Sequence, residues 1–199
     1  MRYSITGSGD NCYPGTTVLI NKLNLTNQAS LDQAEKIAVS LRSIELESRD
    51  IDEPFSFSFY CSIHKCLFGD IYEWAGELRT VDLSKKGTRF CPVKDIQQIG
   101  LAMFDRLQKA DYFRGISRKK YVANIAEFYH DLNMLHPFRE GNGRTQRLFF
   151  TLLIRRGGYD IDFSSLDLEE LMIATIYASQ GVSGYLQAFF DKAIIKPAH

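Results

Sequence analysis

The run Leu148-Phe149-Phe150-Thr151-Leu152-Leu153-Ile154 constrains this chain more than any other stretch. Arg144 opens it and Gly157-Gly158 supplies a stop, so it predicts a helix that is apolar almost all round. Such a helix has no face to offer water and must lie inside a bundle. Its first turn carries Arg144 and Arg147, three residues apart and so on one face. Guanidiniums entering a core need anionic partners, and a helix N-terminus itself favours anions over cations. Bound polyphosphate would satisfy both demands.

The rest of the chain supplies a bundle for that helix to enter. Ser30 has capping-box spacing to Gln33, and Leu31, Ala34, Ile37, Ala38, Leu41 and Ile44 follow at helical intervals, which predicts a helix with those residues on its core face. Pro54 suits the first turn of a second helix carrying Phe59, Ile63 and Leu67. Asp95 caps a third in this reading, with Ile96, Ile99, Met103 and Leu107 along it. Tyr121, Ile125, Phe128, Leu132 and Leu135 give the cleanest stripe, over about 117–135. Two further helices fall near 166–179, with Ser165 as N-cap, and 183–195. Between Gly76 and Pro92 the period changes: Val81 and Leu83 alternate with polar residues, Lys85-Lys86-Gly87 turns, and Thr88-Arg89-Phe90 returns. The expectation is an all-α bundle with one short β-hairpin near 78–92. Residues 1–29, broken by Gly7, Gly9, Pro14 and Gly15, read as an irregular arm on a domain spanning 30–199.

Composition narrows the function classes. Lys plus Arg equals Asp plus Glu at 24 each, so there is no broad nucleic-acid or membrane footprint and any anion site must be local. No run of 18 apolar residues predicts a membrane span. Cys12, Cys61, Cys66 and Cys91 show neither a Cys-x-x-Cys pair nor zinc-finger spacing to histidine, so buried free thiols are expected. With no apolar leader at Met1 to Gly9, a cytoplasmic location is expected, export being open only to a route blind to N-terminal signals, such as translocation into a host cell. His64 and His130 fall inside predicted helices and are read as solvated or locally bonded.

The chemistry concentrates in His136 to Arg147. Gly141-Asn142-Gly143 joins two helices and can turn successive N–H groups toward one point at a helix N-terminus, which makes an anion cradle. Glu140, just ahead of it, can hold Mg²⁺, a cation that takes one or two carboxylates plus substrate phosphates. His136 can accept a hydroxyl proton near neutral pH. Phe138 reads as the anchor that pins the loop into the core.

His136, Phe138, Glu140, Gly141, Asn142, Gly143, Arg144 and Arg147 match every fixed position of the Fic motif, His-x-Phe-x-Asp/Glu-Gly-Asn-Gly-Arg-x-x-Arg. The chain resembles that family further out. Tyr13-Pro14-Gly15-Thr16-Thr17, Asn21-Lys22-Leu23, Asp70 to Gly76 and Arg79 look like segments preceding the motif in many bacterial Fic proteins, so the resemblance covers roughly 10–195. It implies a Fic-fold helical bundle and a protein adenylyltransferase that moves AMP from ATP to a Tyr, Thr or Ser hydroxyl of another protein. By that resemblance His136 is the base, Glu140 holds Mg²⁺, and Gly141, Asn142 and Gly143 cradle phosphates. Arg144 and Arg147 grip the β- and γ-phosphates. The hairpin is the flap that clamps the target by strand addition, with Thr88 and Phe90 as candidate contacts.

Many members are held inactive by Ser/Thr-x-x-x-Glu-Gly/Asn. Neither Ser43…Glu47, followed by Ser48, nor Ser165…Glu169, followed by Glu170, completes that pattern. The resemblance then implies inhibition in trans by a small antitoxin-like protein whose glutamate reaches Arg147. Two alternatives stay open on the residues: a Fic enzyme using UTP or another donor, and a non-catalytic interaction module of the same fold.

Overall fold

The computed structural model describes residues 4–6, 11–85 and 87–197. Gly7, Gly9 and Lys86 of the expected breakers and turn lie outside the described residues. Among the described residues seven α-helices and three short strands follow in the order β1 (Ser4–Thr6), α1 (Gln28–Glu47), α2 (Phe57–Phe68), β2 (Asp82–Lys85), β3 (Thr88–Arg89), α3 (Val93–Lys109), α4 (Arg118–Leu135), α5 (Asn142–Arg156), α6 (Leu168–Ser179) and α7 (Gly184–Ala193). No described helix is long and apolar enough to cross a membrane.

The greasy helix is α5, and it is central as its composition demands. Phe149, Phe150, Leu153 and Ile154 have no exposed surface, and α5 packs against α1, α2 and α4. Its aromatic neighbours prefer edge contacts: Phe149 meets Tyr60 and Phe104 with centroids 5.4 Å apart in both cases. Every residue of the predicted α4 stripe is buried. α7 closes the bundle against α4 and α6.

The expected hairpin forms from β2 and β3, with Gly87 at φ +82° in its turn. A strand from the arm adds to it. β1 pairs antiparallel with β2, Ile5 opposite Leu83, so the sheet has three strands in the order β1-β2-β3. The described remainder of the arm is irregular but strapped down. Asn21 is buried, its amide donating to the carbonyls of Leu19 and Leu25 and accepting from Leu25 N, while Lys22 N donates to Ile71 O at 2.8 Å.

Several helix starts differ from the sequence reading for one reason: a nearby side chain caps better. Asn27, not Ser30, caps α1, accepting from Ser30 N; Ser56 caps α2 beyond Pro54; Asp167, not Ser165, caps α6. Asp95 lies within the first turn of α3 rather than capping it. All four cysteines are free thiols, half-buried rather than fully buried.

The larger correction concerns the face of α1. Its buried residues are Leu31, Glu35, Val39 and Leu46. Ile37, Leu41 and Ile44, expected inward, are 56%, 63% and 69% exposed. Leu41→Ser should therefore change the unfolding free energy by less than about 0.5 kcal/mol, while Leu31→Ala should cost about 2–5 kcal/mol. Urea titration of the two variants checks the assignment, and equal losses would contradict it.

Candidate active site

The loop between α4 and α5 is built to a fixed shape. α4 ends by placing His136 in the left-handed region at φ +44°, a conformation that a non-glycine residue keeps only where its surroundings enforce it. Asn142 supplies much of that enforcement. Its side-chain oxygen accepts from Phe138 N at 2.9 Å and its amide donates to Phe138 O at 2.7 Å. Phe138 is fully buried, stacked on His64 at 3.9 Å and on Tyr60 at 5.4 Å, as the anchor reading requires. Gly141 sits at φ +80°, and a Cβ there would lie 2.5 Å from the Phe68 ring, so the position admits only glycine.

These contacts leave the start of α5 open. Thr145 N is the first amide of the helix to bond, to Gly141 O at 3.0 Å. The N–H groups of Asn142, Gly143 and Arg144 belong to the turn that has no intrahelical acceptors, and their positive dipole end suits an anion. Asn142 can contribute its backbone only, because its amide side chain is consumed within the loop. At Gly143 a Cβ would come 3.3 Å from Arg147 Nη1, so glycine keeps that guanidinium uncrowded.

His136 stands on the wall of the same cleft. It is 6% exposed, and burial lowers its pKa to about 3, so the imidazole is neutral at working pH. Nδ1 lies 3.0 Å from Asn133 O; a carbonyl only accepts, so Nδ1 carries the proton and the lone pair is on Nε2. Phe90 stacks on the ring at 3.7 Å with an interplanar angle of 11°. Thr88 and Lys85 line the cleft beside it. The hairpin thus forms one wall, and both predicted flap residues face the site.

The two arginines are treated differently. Arg144 pairs with Glu35 at 2.5 Å, sits 4.7 Å over the Phe68 ring and lies 3.7 Å from Glu140. Among the described residues Arg147 has no carboxylate partner, and burial lowers its pKa. Glu140 accepts from Gly141 N at 2.9 Å and is one-third exposed. Among the described residues no three His, Cys, Asp or Glu side chains converge as an all-protein metal site. A lone carboxylate beside a phosphate cradle does fit magnesium, which completes its shell with phosphate oxygens and water. The cleft they line has a volume of about 1100 Å³, and Ile161, Phe163 and Leu171 add apolar lining to it.

Three supporting residues escaped the sequence reading. Arg79, whose side chain is fully buried, donates Nε to His136 O at 2.8 Å, Nη1 to Val81 O at 2.7 Å and Nη2 to Cys91 O, stapling the hairpin to the loop. His64, expected solvated or locally bonded, is fully buried and bridges to the loop: Nδ1 accepts from Gly76 N at 2.8 Å, so Nε2–H donates to Glu140 O at 3.0 Å. Burial holds its pKa near 4. Glu35 was not singled out at all. Only Arg79 carried a signal, through its place after the Asp70 to Gly76 segment.

The first amides of α5, two arginines and a neutral imidazole thus meet in one cleft. The chain belongs to the Fic/DOC family, whose pattern matches residues 54–154. It is 36% identical over 179 residues to the protein adenylyltransferase VbhT of Bartonella schoenbuchensis, covering 90% of this chain but only 37% of VbhT. Against the probable protein adenylyltransferase Fic of Salmonella typhimurium it is 35% identical over 182 residues, covering 92% of this chain and 90% of that protein. Its fold is similar to the Bartonella tribocorum effector BepC with bound AMPPNP, at TM-score 0.88 and 26% identity over 94% of this chain and 97% of BepC.

Both buried histidines make the fold acid-sensitive. Unfolded imidazoles protonate near pH 6.5, the folded ones only near 4 and 3, so between those values the unfolded chain holds more protons. Stability is complete above pH 6.5 and should fall below it by up to about 1.4 kcal/mol per pH unit for each histidine. Denaturant titrations at pH 7, 6 and 5 read the slope; a flat response would contradict two neutral buried rings.

Proposed function

We propose that this protein is an adenylyltransferase that moves AMP from magnesium-bound ATP to a Tyr, Thr or Ser hydroxyl of a target protein. The observation that carries this reading is the neutral His136, with its lone pair on Nε2, in the same cleft as the open N–H groups at the start of α5. The target hydroxyl gives its proton to Nε2 as its oxygen bonds to the α-phosphorus, and the bond from that phosphorus to the bridging oxygen breaks to release pyrophosphate. The N–H groups of Gly141, Asn142 and Gly143 hold the phosphates, and Arg144 and Arg147 take the β- and γ-phosphates. Glu140 is the carboxylate that would hold magnesium, which when bound neutralises charge between the α- and β-phosphates. Thr88 and Phe90 line the target side. A strand of the target adds beside the hairpin there, and Phe90 presses the base into place.

Transfer of label from α-³²P-ATP to protein should fall about 10²–10⁴-fold in His136→Ala, with nucleotide binding retained. Undiminished labelling would remove His136 as the base. UTP and CTP offered in parallel should label less; a preference for either would change the donor while keeping the site.

Control in trans fits the exposed ridge of α1. Ile37, Leu41 and Ile44 share one side of the helix, and Ile44 borders the cleft that holds Arg147. A small helical antitoxin-like protein seated on that ridge would bring a glutamate to Arg147 and exclude the γ-phosphate, which makes this chain the toxin of a cytoplasmic pair. The purified chain should then be active alone, and Leu41→Lys should escape inhibition in the native host. A chain fully inhibited in isolation would overturn this arrangement.

A further inference from the structure

Glu35 is a carboxylate on the core face of a helix, at a position where an apolar residue would normally sit. It is 6% exposed. One oxygen accepts the Tyr72 hydroxyl and the other pairs with Arg144 Nη1 at 2.5 Å. Tyr72 is itself buried and stacked on Trp74 at 4.3 Å; burial raises its pKa, so it keeps its proton and donates to Glu35 throughout the working range. Arg144 is thereby held by a buried anion, with its Cζ over the Phe68 ring, 4.7 Å from the centroid.

The consequence falls on Glu140. Its Oε1 is 3.7 Å from Arg144 Nη2, near enough to capture the guanidinium if nothing else held it. A carboxylate locked in such a pair would be a poor ligand for a cation. Because Glu35 already satisfies Arg144, Glu140 keeps only a light contact with that arginine and its hydrogen bond from Gly141 N. The buried position of Glu35 matters here, since solvent does not compete for its charge.

We infer that Glu35, braced by Tyr72, is a positioning residue that fixes Arg144 for phosphate and so keeps Glu140 available to magnesium. This assignment rests on the nucleotide and metal roles given above to Arg144 and Glu140.

Calorimetry with AMPPNP at graded magnesium concentrations tests it, alongside steady-state labelling. Glu35→Gln should raise the magnesium needed for half-saturation about tenfold and raise KM for ATP, with kcat at saturating magnesium and ATP within about threefold of the unaltered protein. Glu35→Asp should recover part of the magnesium affinity. Tyr72→Phe keeps the Glu35–Arg144 pair and should show the same trend more weakly; with Glu35→Asp it carries the test if Glu35→Gln does not fold. A merely structural role predicts a lower melting temperature with unchanged magnesium dependence, and that result would overturn the inference. If the unaltered protein takes up no magnesium–AMPPNP, the nucleotide reading itself fails and this assignment falls with it. Normal uptake by the unaltered protein and by all folded variants defeats Glu35 alone.

Discussion

Two hydrogen bonds between Asn142 and the backbone of Phe138 close the loop on which everything else depends. They satisfy both backbone polar groups of the buried residue Phe138, and buried backbone left unpaired would be costly. They also force the chain to double back. The left-handed turns at His136 and Gly141 follow from that closure, as does the placement of the imidazole on the same cleft as the first amides of α5. Arg79 and His64 then tie the closed loop to the hairpin and to α2, each through carbonyl oxygens of the loop. The loop is therefore held by backbone contacts from several elements, while its reactive atoms face the cleft.

Burial sets the chemistry as much as geometry does. A solvated imidazole would be partly protonated near pH 6.5 and could not serve as a base in that state. In this fold desolvation keeps His136 neutral, and the bond to Asn133 O selects the tautomer with its lone pair on Nε2. Phe90 removes one face of the ring from water, so the hairpin that would receive a target also supports the base. The chain carries no net charge, so in the proposed function the attraction for phosphate would come from helix-end amides and two arginines concentrated at one place.

What could be read from the sequence was local and periodic. The all-round apolar α5, the α4 stripe and the alternation of β2 are short-range patterns, and the structure keeps them. The loop was legible because its residues are contiguous. The contacts of Glu35, Tyr72, His64 and Arg79 were not, since each acts through a partner 37 to 109 positions away; Glu35 with Tyr72 and with Arg144 spans that range. β1 escaped for a similar reason: a three-residue strand has no period, and only β2, far along the chain, makes it one.

The inversion of α1 shows how a polar contact can overrule hydrophobic patterning. Turning Ile37, Leu41 and Ile44 inward would gain about 1.5–3 kcal/mol for each fully buried side chain, and less here because each is already partly covered. The same rotation would swing Leu31 and Val39 outward, which cancels much of that gain. It would also withdraw Glu35 from Tyr72 and Arg144, breaking the contacts that hold its buried carboxylate. The observed face is the one that keeps the ion pair. Glu35 shares the inward face of the 20-residue α1 with Leu31, Val39 and Leu46, and that rotation leaves an apolar ridge whose Ile44 borders the cleft.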